Sequence, residues 1–198
     1  MDELHSLNIM RLKPLALICC FLTAVISSSC GNPPVLKARA VEQPDSSRKA
    51  LLDSFSSVVV KEVDSIVVHK AERLMYVFNQ GRLLKIYRVC LGSSPVGDKQ
   101  CKGDGKTPEG LYFINDRNPK SAYHKNLGIS YPNDADRKQA AAMGKLPGGD
   151  IKVHGLPNDY VGGPVTYDWT DGCISVSNEE IDELYVAVKT GSPILIKP

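Results

Sequence analysis

Several features that mark common protein classes are missing from this 198-residue chain. There is no run of five or six like charges and the net charge is only +2. The clustered basic face on which nucleic-acid binding usually rests is therefore not indicated. No C-x-x-C or H-x-x-x-H pair occurs, which argues against zinc. No apolar stretch reaches the roughly 20 residues that a membrane-spanning helix needs. Neither repeats nor low-complexity blocks are visible. What remains is an ordinary globular composition, 42% hydrophobic and 23% charged, able to bury a core and too apolar for global disorder.

The N-terminus departs from that average. Arg11 and Lys13 precede an uncharged run from Leu15 to Ile26, and small residues follow. A basic flank, a short apolar run and small residues make the pattern of a secretory signal peptide, read here over residues 1–29. Met10 is an alternative start. Ser27-Ser28-Ser29-Cys30-Gly31 resembles a bacterial lipoprotein box, although Ser27 stands where an aliphatic residue is usual. Lipidation of Cys30 and an exported, envelope-located protein, periplasmic or lipid-anchored, are expected. Residues 30–50 contain three prolines and no apolar period, and read as a tether. The remainder, 51–198, has the size of one domain.

Export permits disulfides. Cys19 and Cys20 leave with the signal, so Cys30, Cys90, Cys101 and Cys173 remain. With Cys30 lipidated, Cys90 and Cys101 can pair with each other or stay free, and a pair would leave the Cys173 thiol to be explained.

Strand patterns dominate the domain. β-branched and aromatic runs occur at Ser65–Lys70, Arg73–Phe78 and Leu83–Leu91, with Asn79-Gln80-Gly81 as a turn between the last two. Gly92–Pro108 reads as a long loop, and Gly110–Ile114, Ile151–His154, Gly172–Val176 and Ile194–Ile196 as further strands. Asp134–Met143 reads as a helix stopped by Gly144. Ser177 and Glu180 form a capping box for another, whose apolar face is Ile181, Leu184, Tyr185 and Val188. The expected fold is mainly β, a mixed sheet or sandwich with two or three short helices.

A cysteine attacks carbonyl groups as thiolate and so needs a base. His69 falls in an alternating strand and suits a structural place. His124, in Ser121-Ala122-Tyr123-His124, is a candidate for a substrate groove. His154 closes a strand at a His-Gly pair, nineteen positions before Cys173. Glycines beside both groups admit a close-lying substrate chain and expose backbone N–H groups that could hold an oxyanion.

His154, fifteen residues from Gly155 through Trp169, and Thr170-Asp171-Gly172-Cys173 resemble the signature of the YkuD-type L,D-transpeptidases. Gly103-Asp104-Gly105 with Thr107-Pro108-Glu109-Gly110, Ile129-Ser130-Tyr131-Pro132-Asn133 and Asp168-Trp169-Thr170 extend the resemblance over about residues 65 to 198. It implies that Cys173 is the nucleophile and His154 its general base. The backbone carbonyl of Gly155 would orient the imidazole, and the amides of Gly172 and Cys173 would form the oxyanion hole. Thr170, Asp171 and Ser175 would flank the substrate path. Asp171 stands where a second His is frequent, and Ser175 where Arg or Asn is frequent.

The implied partner is a peptidoglycan stem peptide, cleaved before its terminal D-Ala through a Cys173 thioester, with no metal or cofactor. Transfer to an amine gives a cross-link, whereas attack by water makes the same site a carboxypeptidase or endopeptidase. A wall-binding lipoprotein without catalysis is the reading from a different class.

Overall fold

The computed structural model of the protein describes residues 58–198 together with Ser46, Ala50, Asp53 and Ser54. The expected signal peptide, Cys30 and, apart from Ser46 and Ala50, the tether lie outside the described residues.

Eight strands form one mixed sheet: β1 (Ser65–His69), β2 (Leu74–Asn79), β3 (Arg82–Arg88), β4 (Gly110–Ser121), β5 (His124–Ile129), β6 (Lys152–His154), β7 (Ile174–Ser175) and β8 (Pro193–Lys197). Within 58–198 two helices accompany them, α1 (Asp134–Ala142) and α2 (Asn178–Ala187). The strand order is β3-β2-β1-β8-β4-β5-β6-β7. The last strand in sequence thus lies in the middle, parallel to β1 and antiparallel to β4. The segment after β3 then reaches the opposite edge, with Cys90 bridged to Ser175 and Gly92 to Thr170. The sheet curls until its two edges meet at this seam.

Alternation drives the packing. Ile66 and Val68 of β1, Met75 and Val77 of β2, Ile194 and Ile196 of β8 and Tyr112 and Ile114 of β4 are all buried in one cluster. Leu127, Val153 and Ile174 continue it through β5, β6 and β7, and Ile181 and Leu184 of α2 seal it. Each such side chain stabilises the fold by roughly 1.5–3 kcal/mol. The expected capping box is present at α2: Ser177 Oγ accepts from the Glu180 amide, and the Glu180 carboxylate accepts from the Ser177 amide. Asn133 and Asp136 make the same reciprocal pair at α1.

Two elements differ from the sequence expectation. β4 runs on to Ser121, and β5, unanticipated, pairs with that extension. The extension carries Pro119, which cannot donate to a ladder. It is tolerated because the register shifts between Asn118 and Ser121.

Of the two states left open for Cys90 and Cys101, the structure has the unpaired one: both thiols are free. Cys90 is held at the seam by its bridge to Ser175, and its thiol faces the Val165 carbonyl at 3.5 Å. Cys101 sits in a different loop, where its amide donates to the Asp104 carboxylate.

That second loop is fixed from below by a buried cation. Lys70, only 2% exposed, donates to the carbonyls of Gly97 and Thr107 and to the Glu109 carboxylate at 2.7–2.8 Å. Thr107 Oγ1 in turn accepts from the Gly92 amide.

Candidate active site

β4 to β7 build the floor. Register pairs Asn118 with Asn126, Asn126 with His154, and His154 with Ser175. Residues directly opposite one another share a face. Because the alternating Leu127, Val153 and Ile174 enter the core, this polar row lies on the other face. Cys173, one residue ahead of Ile174, falls beside Lys152, two positions from His154 on the same strand. The Cys173 thiol accepts from the Lys152 amide and faces the Asp150 carbonyl at 3.5 Å.

Cys173 and His154 line one cleft of about 510 Å³, together with Asn118, Asn126, Asp150, Lys152, Tyr123, Trp169, Thr170 and Asp171. That volume falls within the range of ordinary ligand sites. His154 is 4% exposed. Its Nδ1 lies 2.7 Å from the Gly155 carbonyl. A carbonyl only accepts, so Nδ1 carries the hydrogen and Nε2 is left with a free lone pair. Tyr123 lies against the imidazole at 4.8 Å between ring centroids, and Trp169 meets it edge-on at 5.6 Å.

Gly155 has no room for a side chain. An added Cβ would lie 2.5 Å from Asn178 Oδ1 and 3.0 Å from Ile181 Cγ2. Its amide donates to the carbonyls of Tyr123 and Lys125, which sets the carbonyl that faces His154. Gly172 is equally constrained, with φ +131° and the Lys106 carbonyl 2.5 Å from where a Cβ would stand. The loop tied down by Lys70 therefore buttresses the residue before Cys173.

A strap holds the approach to the cysteine. Asp168 accepts from the Leu91 amide through Oδ1 and from Arg73 through Oδ2, at 2.7 Å for Nη2. The backbone of Thr170 bonds to Leu91 and Ser93 on either side. Thr170 Oγ1 donates to the Cys173 carbonyl at 2.7 Å and accepts from the Gly172 amide at 3.1 Å.

Three expectations change. The Gly172 amide, expected to face an oxyanion, is engaged by Thr170. His124, expected in the groove, is not part of the cleft lining. At φ +63° its ring instead pairs through Nε2 with Asp182 of α2 at 2.8 Å. Ser175 is buried behind His154, its hydroxyl 3.5 Å from the Gly155 carbonyl. It lines a separate cavity of about 290 Å³ with Cys90, Val165 and Glu180. Asn126, Lys152 and Asp150 join the cleft without having been anticipated. A carboxamide just ahead of Leu127-Gly128-Ile129 is the sequence signal for Asn126.

Burial sets the protonation. It pulls the His154 imidazole below its usual range, with nearby Lys152 adding to the effect and the Gly155 carbonyl opposing it. Burial likewise pushes the Cys173 thiol up, against the hydrogen bond from the Lys152 amide. Both directions favour the uncharged form of the side chain concerned. Among the described residues no three His, Cys, Asp or Glu side chains gather to hold a metal.

Fold and cleft together define a mainly β domain that sets one thiol and one imidazole on the outer face of a curled sheet. Residues 64–196 match the YkuD family, the L,D-transpeptidase catalytic domain, and the chain belongs to that family. YafK of Escherichia coli K12, provisionally named an L,D-transpeptidase, is 32% identical over 139 residues. The match covers 67% of this chain and 50% of YafK, so the chain spans half the length of that relative. Among solved structures, the helical cell shape determining protein Pgp2 from Campylobacter jejuni shares the fold. It has a TM-score of 0.52 and 24% identity, over 76% of this chain and 55% of that one. An L,D-transpeptidase from Xylanimonas cellulosilytica matches at TM-score 0.47 and 16% identity, over 78% and 70%.

Proposed function

We propose that the protein is a cell-wall L,D-transpeptidase acting on peptidoglycan stem peptides through Cys173. The observation that carries this reading is that Cys173 and His154 line one cleft, with Nδ1 of His154 occupied by the Gly155 carbonyl. Nε2 is then the free base. It takes the Cys173 proton as sulfur adds to the carbonyl carbon of the third, diamino-acid residue. The C–N bond to terminal D-Ala breaks, the proton passes from His154 to the departing amine, and a thioester stays on Cys173. An acceptor amine attacks that thioester and gives a proton to Nε2, which returns it to sulfur as the thiol leaves. The Cys173 amide faces the developing oxyanion, since Thr170 engages that of Gly172. Such donors contribute about 10²–10³-fold in rate.

Asp171, exposed at the rim, and Thr170 border the path of the substrate. The export signal at residues 1–29 and lipidation of Cys30 would deliver the domain to the envelope, where the polymer lies.

Intact-mass analysis after incubation with a stem tetrapeptide tests the assignment. The expected result is an acyl adduct on Cys173 with D-Ala released, and no adduct in the Cys173→Ala variant. Undiminished turnover by that variant would end the reading. With an amine acceptor present, dimers support transfer, and shortened monomers alone would make the enzyme a hydrolase.

A further inference from the structure

Two buried polar atoms in the cleft have no hydrogen-bond partner among the described residues: Oδ1 of Asn126 and Nε1 of Trp169. Folded proteins leave few such atoms unpaired, because each forfeits its bonds to water without replacement. Two of them in the cleft that Cys173 and His154 also line point to a ligand that supplies what is missing. Asn126 is 2% exposed and stands directly across the strand pair from His154. Trp169 meets the same imidazole edge-on. One atom can only accept and the other can only donate.

The missing partner must therefore offer one donor and one acceptor close together. It must also be uncharged at that point, since the one lysine of the cleft, Lys152, already pairs with Asp150 at 2.7 Å. An anion would meet the Asn126 oxygen with nothing to offset the repulsion, and a cation would meet the Trp169 N–H. The main-chain peptide group fits, with one N–H and one C=O and no net charge.

We propose that Asn126 and Trp169 form a subsite that reads the main chain of the donor stem peptide. A peptide N–H next to the scissile carbonyl donates to Asn126 Oδ1, and a neighbouring carbonyl accepts from Trp169 Nε1. Asn126 is thereby a specificity residue for amide-linked donors, set on the same register line as the base. This rests on the donor proposed above and goes beyond it by naming how that donor is held.

The test is a binding cycle in the full chain carrying Cys173→Ala, so that affinity is read without turnover. The probes are the stem tetrapeptide and analogues in which each peptide N–H in turn is replaced by an ester oxygen. One ester analogue should bind about tenfold more weakly than the amide, the usual scale for losing the partner of a buried polar atom. Asn126→Leu, of similar volume, should weaken the amide by a similar factor and then show no further loss with that ester. Trp169→Phe keeps the ring and removes the N–H, and should weaken every probe several-fold. It provides a second route should the Asn126 variant lose its fold, which thermal melting would reveal. Equal losses for all esters in the presence and absence of Asn126 overturn the subsite, as does full affinity in both variants. If the wild-type protein is acylated by the peptide while these effects are absent, only the subsite fails. If the peptide neither acylates Cys173 nor binds Cys173→Ala, the donor assignment fails and the subsite with it.

Discussion

The hydroxyl of Thr170 donates to the backbone carbonyl of Cys173 at 2.7 Å while accepting from the amide of Gly172. One side chain thus closes the turn that presents the thiol. Thr170→Val keeps the shape and removes both bonds, so sulfur loses its fixed approach. Acylation of Cys173 should slow by about 10- to 100-fold, the scale of small misplacements at a reacting centre. Thr170→Ser should stay close to wild type. Single-turnover acylation checks this, and equal rates for the Val and Ser variants would remove Thr170 from the account.

The Arg73–Asp168 pair anchors the same turn from further out. Asp168 is nearly buried, whereas Arg73 keeps a fifth of its surface exposed. Asp168→Ala leaves the Leu91 amide and the guanidinium without their carboxylate. It should cost about 2–4 kcal/mol in urea denaturation, somewhat below a fully enclosed pair. Acylation should weaken in the same variant, because Trp169 and Thr170 follow directly. A loss of stability below about 0.5 kcal/mol, the range of ordinary surface changes, would show that the pair does not carry the strap.

Protonation predicts a shifted acid limb. A free imidazole titrates near 6.5, and burial holds His154 below that value. The neutral base that activity needs is present above the folded-state value. The acid limb of kcat/KM for acylation should therefore fall below pH 6.5. Linkage gives the accompanying sign: the unfolded chain takes up this proton more readily, so stability drops as pH falls through 6.5 towards the lowered value. Rate measurements from pH 4 to 8 decide the matter, and a limb above 6.5 contradicts the lowered value.

Cysteine chemistry should sort by position. Burial, with Asp168 adding, pushes the Cys90 thiol up to about 11, and the side chain is enclosed. Native alkylation at pH 8 should spare Cys90 and modify the half-exposed Cys101. After denaturation both should be modified. Peptide mapping without reductant should recover the two cysteines on separate peptides, whereas a linked pair would contradict the free thiols.

That Cys173 and His154 line one cleft was legible in sequence because glycines mark both ends of a fixed spacer. The Gly155 and Gly172 positions show why: neither accommodates a Cβ without a close approach to other atoms. The α2 capping box and its Ile181 and Leu184 face were equally readable, since cap and period are local. His124 was not, because its partner Asp182 lies 58 residues away on a helix that packs against β5. Nor was β5 itself, where His124-Lys125-Asn126 carries little strand propensity and register supplies what propensity lacks. In the sequence Asn126 simply follows the polar pair His124-Lys125. Only its position opposite His154 gives it meaning.

The position of β8 has a consequence for cooperativity. Pro193–Lys197 lies between the β1–β3 half and the β4–β7 half and pairs with a strand of each. Peeling those five residues away would leave the two halves of the sheet, among the described residues, bridged only at the seam of Cys90 with Ser175 and Gly92 with Thr170. Opening of either half is thereby coupled to the other through a single strand.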